Sequence, residues 1–156
     1  MVGSGATYGF TVTATNPANG SLILTVPDGA TTDPAGNPNL GATITIAIDR
    51  TPPKTSVPMT TLRTGGTFSG ALAGLVSWSG SDLGGAGIAS YDIERSRDGA
   101  AFAAPATGLA SPQLIVSLSA GHTYRYAVRA RDQAGNVGAW RAGPTFSTIV
   151  RQDSSG

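Results

Sequence analysis

Over residues 124–131 every second side chain is apolar or aromatic: Tyr124, Tyr126, Val128 and Ala130 alternate with Arg125, Ala127, Arg129 and Arg131. A period of two describes a strand with one face buried and the other in water, and an α-helix presents no such stripe. The pattern recurs along the chain. Tyr8, Phe10, Val12 and Ala14 alternate with glycine and threonine; Leu22, Leu24 and Val26 share a face opposite Ile23; Ile44, Ile46 and Ile48 alternate with Thr43, Thr45 and Ala47. Later come Leu75-Val76-Ser77-Trp78, then Tyr91, Ile93 and Arg95, a short edge run around Phe102, then Leu114, Val116 and Leu118, and a last run over residues 145–150. Gly-rich turns at residues 79–87, 97–99 and 132–136 separate the later runs. Short alternating strands with regular turn signals define an all-β sandwich.

Composition agrees and excludes other classes. Helix formers other than alanine are scarce, with Glu94 the sole glutamate and Lys54 the sole lysine, whereas glycine contributes 22 residues. Without cysteine there is no disulfide framework, thiolate zinc site or cysteine nucleophile. A net charge of +1 carries no basic field for nucleic acid. No apolar run is long enough to cross a membrane as a helix, and Met1-Val-Gly-Ser-Gly has neither the basic nor the apolar region of a signal peptide. Thr51-Pro52-Pro53 is the clearest punctuation, because consecutive prolines remove donors and favour a stiff extended connector. The chain therefore reads as a first segment at 1–50, a linker at 51–54, a second segment at 55–150 and a disordered tail at 151–156. Three strand-like stretches before the prolines are thin, since a sandwich uses about seven strands.

The second segment resembles a fibronectin type III domain. The resemblance rests on Leu75-x-x-Trp78 in an early strand, Tyr91-x-Ile93-x-Arg95 in a third, and Leu118-Ser-Ala-Gly121-His-Thr-Tyr124 at the spacing of a tyrosine corner. It implies a structural core of Trp78, Tyr91, Leu118, Tyr124 and Val128, with the Tyr124 hydroxyl returned to nearby backbone. Ala120 stands where the family often has proline. More narrowly, Trp78-Ser-Gly-Ser-Asp82, Arg95-Ser-Arg-Asp-Gly99 and Asp132-Gln-Ala-Gly-Asn136 look like type III repeats of secreted bacterial proteins. The first segment resembles the carboxy-terminal half of a bacterial Ig-like repeat, through Leu22-x-Leu24-x-Val26-Pro-Asp28, Asp33-Pro-Ala-Gly-Asn37-Pro-Asn39 and Asp49-Arg-Thr-Pro-Pro53. The fold class is thus a type III or Ig-like β-sandwich preceded by a partial Ig-like sandwich. Because the opening strands of the first repeat are missing, its apolar stripes are expected to stay partly exposed or to pack on the second segment, and an exposed stripe favours self-association.

Calcium is the sharpest chemical candidate. Asp33-Pro-Ala-Gly-Asn37 and Asp132-Gln-Ala-Gly-Asn136 repeat one pattern, and calcium draws six to eight oxygens from carboxylates, amides and backbone carbonyls on loops. The candidate ligands are Asp28, Asp33, Asn37, Asp49, Asp82, Asp132 and Asn136, and the resemblance to Ig-like repeats implies calcium at junctions. Turn chemistry alone explains the same pattern, because Asp and Asn bond their own backbone and glycine supplies positive φ. No other cofactor is expected.

Catalysis finds little support. His122 is the sole histidine and sits beside Gly121 in a turn. Glu94 and Asp92 share one strand face, too close in sequence to straddle a scissile bond across a cleft. Gly84-Gly85-Ala86-Gly87 leads into a strand without a following Lys-Ser/Thr, so it fails as a phosphate loop. Arg125, Arg129 and Arg131 share an outward face near Arg95, Asp92 and Glu94, which reads as cross-strand pairing or as an anionic glycan surface. Trp140 reads as a cover on the end of the core or as a sugar platform. The expectation is a non-catalytic structural or adhesive module of a bacterial extracellular or cell-surface protein, working beside neighbouring repeat domains and with a glycan or host surface as candidate partner. Two alternatives stand beside it: an accessory glycan-binding or spacer module of a polysaccharide-degrading enzyme, and a self-associating unit completing its half-sandwich as a homo-oligomer by strand donation.

Overall fold

A computed structural model describes residues 2–4, 7–9, 11–13, 15, 18–63 and 71–148. The described residues are all-β, paired antiparallel throughout, and the chain forms two compact units, Met1–Arg50 and Thr51–Gly156.

The first unit has two hairpins. β1 (Val2–Ser4) pairs with β2 (Thr7–Gly9), and β3 (Gly20–Val26) pairs with β4 (Ala42–Ile48). The strand expected over residues 8–15 is cut short: Thr11, Val12 and Thr13 lie outside any strand. A ladder extends only as far as its partner, and β1 has three residues. Phe10 and Ala14 of that pattern, Asn16, Pro17 and the tail at 151–156 lie outside the described residues. In the longer hairpin, Leu22 opposes Ile46 and Leu24 opposes Ile44, so the expected stripe does share one face. That face is poorly covered: Ile44 and Ile46 are 53% and 49% exposed, and Ile23 on the other side is 63% exposed.

The second unit is a sandwich. One sheet orders β11 (Gln113–Ser119), β7 (Ala71–Ser77) and β6 (Met59–Leu62). The other orders β10 (Ala103–Leu109), β9 (Ile88–Arg97), β12 (Thr123–Asp132) and β13 (Arg141–Ala142), with β14 (Phe146–Ser147) also on β12. A small pair, β5 (Lys54–Thr55) with β8 (Gly80–Ser81), brackets β6 and β7 in sequence. Val76 and Leu118 from the first sheet meet Ile93, Tyr126 and Val128 from the second in one core, with Trp78, Tyr91, Tyr124 and Ala130 completing it. The residues expected to form this core (Trp78, Tyr91, Leu118, Tyr124 and Val128) are all buried. Trp78 lies one residue past β7 and meets the Tyr91 ring edge to face, centroids 5.6 Å apart. The edge run expected around Phe102 is displaced: β10 starts at Ala103 and runs to Leu109 on the sheet's outer edge, where Pro105 needs no ladder donor.

The crossover from β11 to β12 is pinned by Tyr124, whose hydroxyl accepts a hydrogen bond from Ser119 N at 2.8 Å. Thr148 supports the same corner by donating to Ser119 O at 2.7 Å, while its own N donates to His122 O at 2.9 Å. The segment before β6 also packs closely. A Cβ at Gly138 would stand 2.2 Å from Pro53 O, and one at Gly143 would stand 2.1 Å from Pro58 O, so both positions admit only glycine without backbone movement.

Tyr124→Phe keeps the ring in the core and removes the acceptor of Ser119 N. A half-buried amide left unpaired costs about 1 to 3 kcal/mol. Urea unfolding of the variant is expected to show that loss with an unchanged m-value.

Candidate functional site

The candidate ligands fall into separate places. In the first unit, Asp28 Oδ1 accepts a short hydrogen bond from Gly41 N, and this closes the base of the loop from Pro27 to Gly41. Within that loop Asp33 Oδ1 accepts from Ala35 N and Asn37 N, each at 2.9 Å, and Oδ2 accepts from Asn37 Nδ2 at 2.9 Å. These donors, led by the Asn37 side chain, hold the Asp33 carboxyl below the usual carboxylate range. Asp49 follows β4 by one residue.

In the second unit the repeated pentapeptide has the same conformation. Asp132 N donates to Asn136 O at 3.1 Å, Asn136 N donates back to Asp132 Oδ1 at 2.8 Å, and Asn136 Nδ2 reaches Oδ2 at 2.8 Å. Gly36 and Gly135 hold positive φ, 85° and 92°, at equivalent places in the two loops. Thus the pentapeptide closes as a turn on its own hydrogen bonds in both units. The environments differ, since Asp33 is exposed and Asp132 is 2% exposed.

Asp82 approaches Asp132 from the neighbouring loop. Carboxylate oxygens of the two come within 4.8 Å of one another. At an effective dielectric constant of about 20, two full charges at that distance repel by roughly 3 kcal/mol. Gly87 N donates to Asp82 Oδ2 at 2.7 Å, and Gln133 N donates to Gly87 O at 2.9 Å, which ties the two loops together. The other oxygen, Asp82 Oδ1, is buried and accepts no hydrogen bond. The glycine-rich stretch, read from sequence as a turn leading into a strand, has a specific shape. A Cβ at Gly85 would stand 2.4 to 2.6 Å from the Asp82 carboxylate, so the loop closes over the acid because residue 85 has no side chain.

A second polar cluster surrounds His122. Its Nδ1 lies 2.7 Å from Asp98 Oδ2 and its Nε2 lies 2.5 Å from Arg97 Nη2. Both ring nitrogens are engaged, and neither partner is a hydroxyl nucleophile. Sequence treated His122 as a solvated turn residue and passed over Asp98. The available signal was Asp98-Gly99, a hairpin turn in which Asp98 adopts φ 51° and aims its carboxylate at the start of β12. The Thr123 N–H bond first, and His122 second, hold the Asp98 carboxyl below its usual range.

On the outer face of the larger sheet, Arg129 opposes Asp92 and bonds it, Nε to Oδ2 at 2.9 Å, as cross-strand pairing requires. Asp92 Oδ1 also accepts from Gly108 N at 3.2 Å. Glu94 opposes Ala127. Trp140 stands beneath Arg129, whose guanidinium carbon lies 4.6 Å from the ring centre, so an aromatic does share the arginine face and one side of its ring is taken. Trp140 is half-buried and lies outside the core cluster. Depressions of about 450 Å³ beside Arg63, Leu75 and Ile115 and of about 330 Å³ beside Phe102, Thr123 and Arg125 have no acidic residue in their walls, whereas one of about 360 Å³ in the first unit, beside Thr25 and Thr43, includes Asp28. No helix among the described residues is long and apolar enough to cross a membrane.

Comparison with known proteins places similar stretches inside much larger chains. Over 110 residues, 69% of this chain, it is 38% identical to exoglucanase B of Cellulomonas fimi, and that stretch is 10% of the relative. Over 73 residues, 47% of this chain, it is 37% identical to endoglucanase B of Cellulomonas fimi, 7% of that protein. The chain therefore spans about a tenth or less of the curated relatives it matches. No protein-family model matches it.

The pKa of Asp98 carries a testable consequence. A carboxyl depressed on folding adds stability above its unfolded pKa, about 4, and that contribution is lost as pH falls through the lower folded value. Melting temperatures followed from pH 5 downward are expected to fall less steeply below about pH 4 for Asp98→Asn than for the unsubstituted chain, because Asn cannot be protonated there.

Proposed function

We propose that this chain is a non-catalytic β-sandwich segment of a secreted polysaccharide-degrading enzyme, acting as an accessory or spacer module. The observation that carries the proposal is the pair of relatives. Similar stretches occur in proteins named as an exo- and an endo-acting glucanase, as a small fraction of each. A segment common to two enzymes of different action is better explained as an attachment than as either active centre. The local chemistry agrees. Hydrolysis of a glycosidic bond ordinarily takes two carboxyls about 5 to 9 Å apart across a substrate-sized cleft. Here Asp92 is bonded to Arg129, Glu94 shares its strand, and none of the depressions of about 450, 360 and 330 Å³ has two carboxyls in its wall: the first and last have none and the other has Asp28.

This reading replaces adhesion as the first expectation and keeps the extracellular location, with type III and Ig-like sandwiches as the modular units. Its test is an assay of the purified chain on carboxymethylcellulose and on insoluble cellulose. No release of reducing ends is expected at any enzyme-like concentration. Turnover that disappears in Glu94→Gln or Asp92→Asn would make the chain an enzyme and end the proposal.

A second reading is favoured by the uncovered hairpin of the first unit. Ile44 and Ile46 share a face with Leu22 and Leu24 and stand about half exposed. An uncovered stripe of this kind promotes association of copies. Light scattering coupled to size exclusion is expected to give a mass that rises with concentration, and Ile44→Thr with Ile46→Thr is expected to abolish the rise. A monomer at every concentration removes this reading and leaves the first intact.

A further inference from the structure

We infer that the depression between the Asp98-Gly99 turn and the outer face of β12 is a binding site for a carboxylate-bearing sugar, a pyranose of the uronic acid class. Its volume, about 330 Å³, lies at the lower end of the range for small-molecule sites, and its wall combines a cation, an aromatic ring and hydroxyls. Arg125 is the one charged residue in that wall, and among the described residues it forms no ion pair. The neighbouring acids are engaged elsewhere. Asp92 is bonded to Arg129, Asp98 is bonded to Thr123 N and His122, and neither they nor Glu94 enters the wall. Arg129, one turn of the pleat further along β12, has both a carboxylate and an aromatic partner. Arg125 shares its depression with the Phe102 ring and lacks the carboxylate.

The site is formed in advance of any ligand. Ser96, 7% exposed, donates its hydroxyl to Ala100 O, and Ala100 N donates to Arg97 O at 2.9 Å, which closes the turn. Asp98 N donates to Thr123 O at 2.9 Å and fastens the turn to β12. Arg125 stands opposite Ser96 in the ladder, so both side chains leave the same face of the sheet. Arg125 Nε donates to Gly143 O at 2.9 Å, and Gly143 N donates to Tyr126 O at 2.8 Å, so the guanidinium is held by a segment itself tied to β12. Among the described residues that is the one hydrogen bond of this side chain, which leaves both Nη groups to a ligand. A planar guanidinium with parallel donors matches a carboxylate. Phe102, 37% exposed, offers an apolar face to the C–H side of a pyranose, and Thr123 and Thr145 supply hydroxyls for those of the sugar. The larger depression beside Arg63 has no aromatic ring in its wall and lacks that half of the recognition. The inference names a ligand for the accessory module proposed above and rests on that reading.

The test is an NMR titration of the intact chain with methyl β-glucuronide and, in parallel, with methyl β-glucoside and with sodium acetate. The two glycosides differ only in a carboxylate that replaces a hydroxymethyl group, and acetate carries the carboxylate without the ring. The glucuronide is expected to shift the Gly99, Ala100, Thr123, Arg125 and Thr145 amides to saturation, and each of the other two ligands is expected to bind more weakly. Arg125→Gln is expected to weaken the glucuronide by about tenfold and to leave the glucoside unchanged, since it removes a charge-assisted contact. Phe102→Ala is expected to weaken both glycosides by about fivefold and to leave acetate unchanged. Should Arg125→Gln fail to fold, the order of the three ligands and the mapped amides of the unsubstituted chain decide. Glucuronide binding no tighter than that of the glucoside or of acetate, shifts that map to Arg63 or Trp140 instead, or affinity undiminished in Arg125→Gln overturns the site. Absence of any binding also overturns it and leaves the accessory-module reading standing, because that reading falls by turnover on cellulose.

Discussion

The contact between two sheets in the second unit is the constraint on which the rest of that unit depends. Val76 and Leu118 on one side, and Ile93, Tyr126 and Val128 on the other, are each about fully buried. Neither sheet can keep its inner face dry alone, because each strand alternates inner with outer residues and the inner set has no other cover. Aromatics are few in this chain, yet Trp78, Tyr91, Tyr124 and Tyr126 all lie in this core. Large rings at the strand ends let a short sandwich close without many residues. Two close approaches follow: Gly74 lacks a side chain because Leu118 and Val116 would stand 2.8 and 3.0 Å from its Cβ, and Gly143 lacks one because Pro58 O passes there.

With the core fixed, chemistry is displaced to the loops and to the outer sheet face, and the repeated pentapeptide illustrates how. Asp33 and Asp132 make the same turn, each accepting from the N–H and Nδ2 of the asparagine four residues on, and Asp33 also accepts from Ala35 N. What separates them is burial and a neighbour. Asp33 faces solvent, where its charge is hydrated. Asp132 is enclosed, and Asp82 brings a second charge beside it. The same sequence motif is therefore a closed turn in one unit and half of a charged pair in the other. A motif sets the conformation, and the fold around it sets what that conformation can bind.

This separation explains what could be read from the sequence. Alternation made the strands legible, since a period of two reports which face is buried: Leu114, Val116 and Leu118 face inward on β11, and Tyr124, Tyr126, Val128 and Ala130 face inward on β12. The hydroxyl bond of Tyr124 was legible through the resemblance to a type III tyrosine corner, whose tyrosine returns its hydroxyl to local backbone. Cross-strand pairing of Arg129 with Asp92 was legible as charge complementarity, but the Trp140 ring beneath Arg129 was not, because it comes from beyond the strand and no periodicity locates it. The shape of the Gly84–Gly87 loop was illegible for a related reason. Glycine in sequence signals freedom, whereas Gly85 is glycine because a carboxylate occupies the space. β2 failed as a long strand for want of a partner, a fact held by other residues rather than by its own pattern.

The placement of polar groups also bears on what a module of this kind can do. A catalytic centre needs reactive groups left incompletely satisfied, aimed into one cleft where substrate displaces water. In the second unit several polar side chains spend bonding capacity on the frame: Asp92 on Arg129 and Gly108, Asp98 on Thr123 and His122, Arg125 on Gly143 O, Thr148 on Ser119 and His122. Such groups raise rigidity and leave little for chemistry. Asp82 departs from this rule, for its second oxygen is closed in by the loop and unanswered by any donor. That oxygen is the unit's one buried carboxylate oxygen without a hydrogen-bond donor among the described residues.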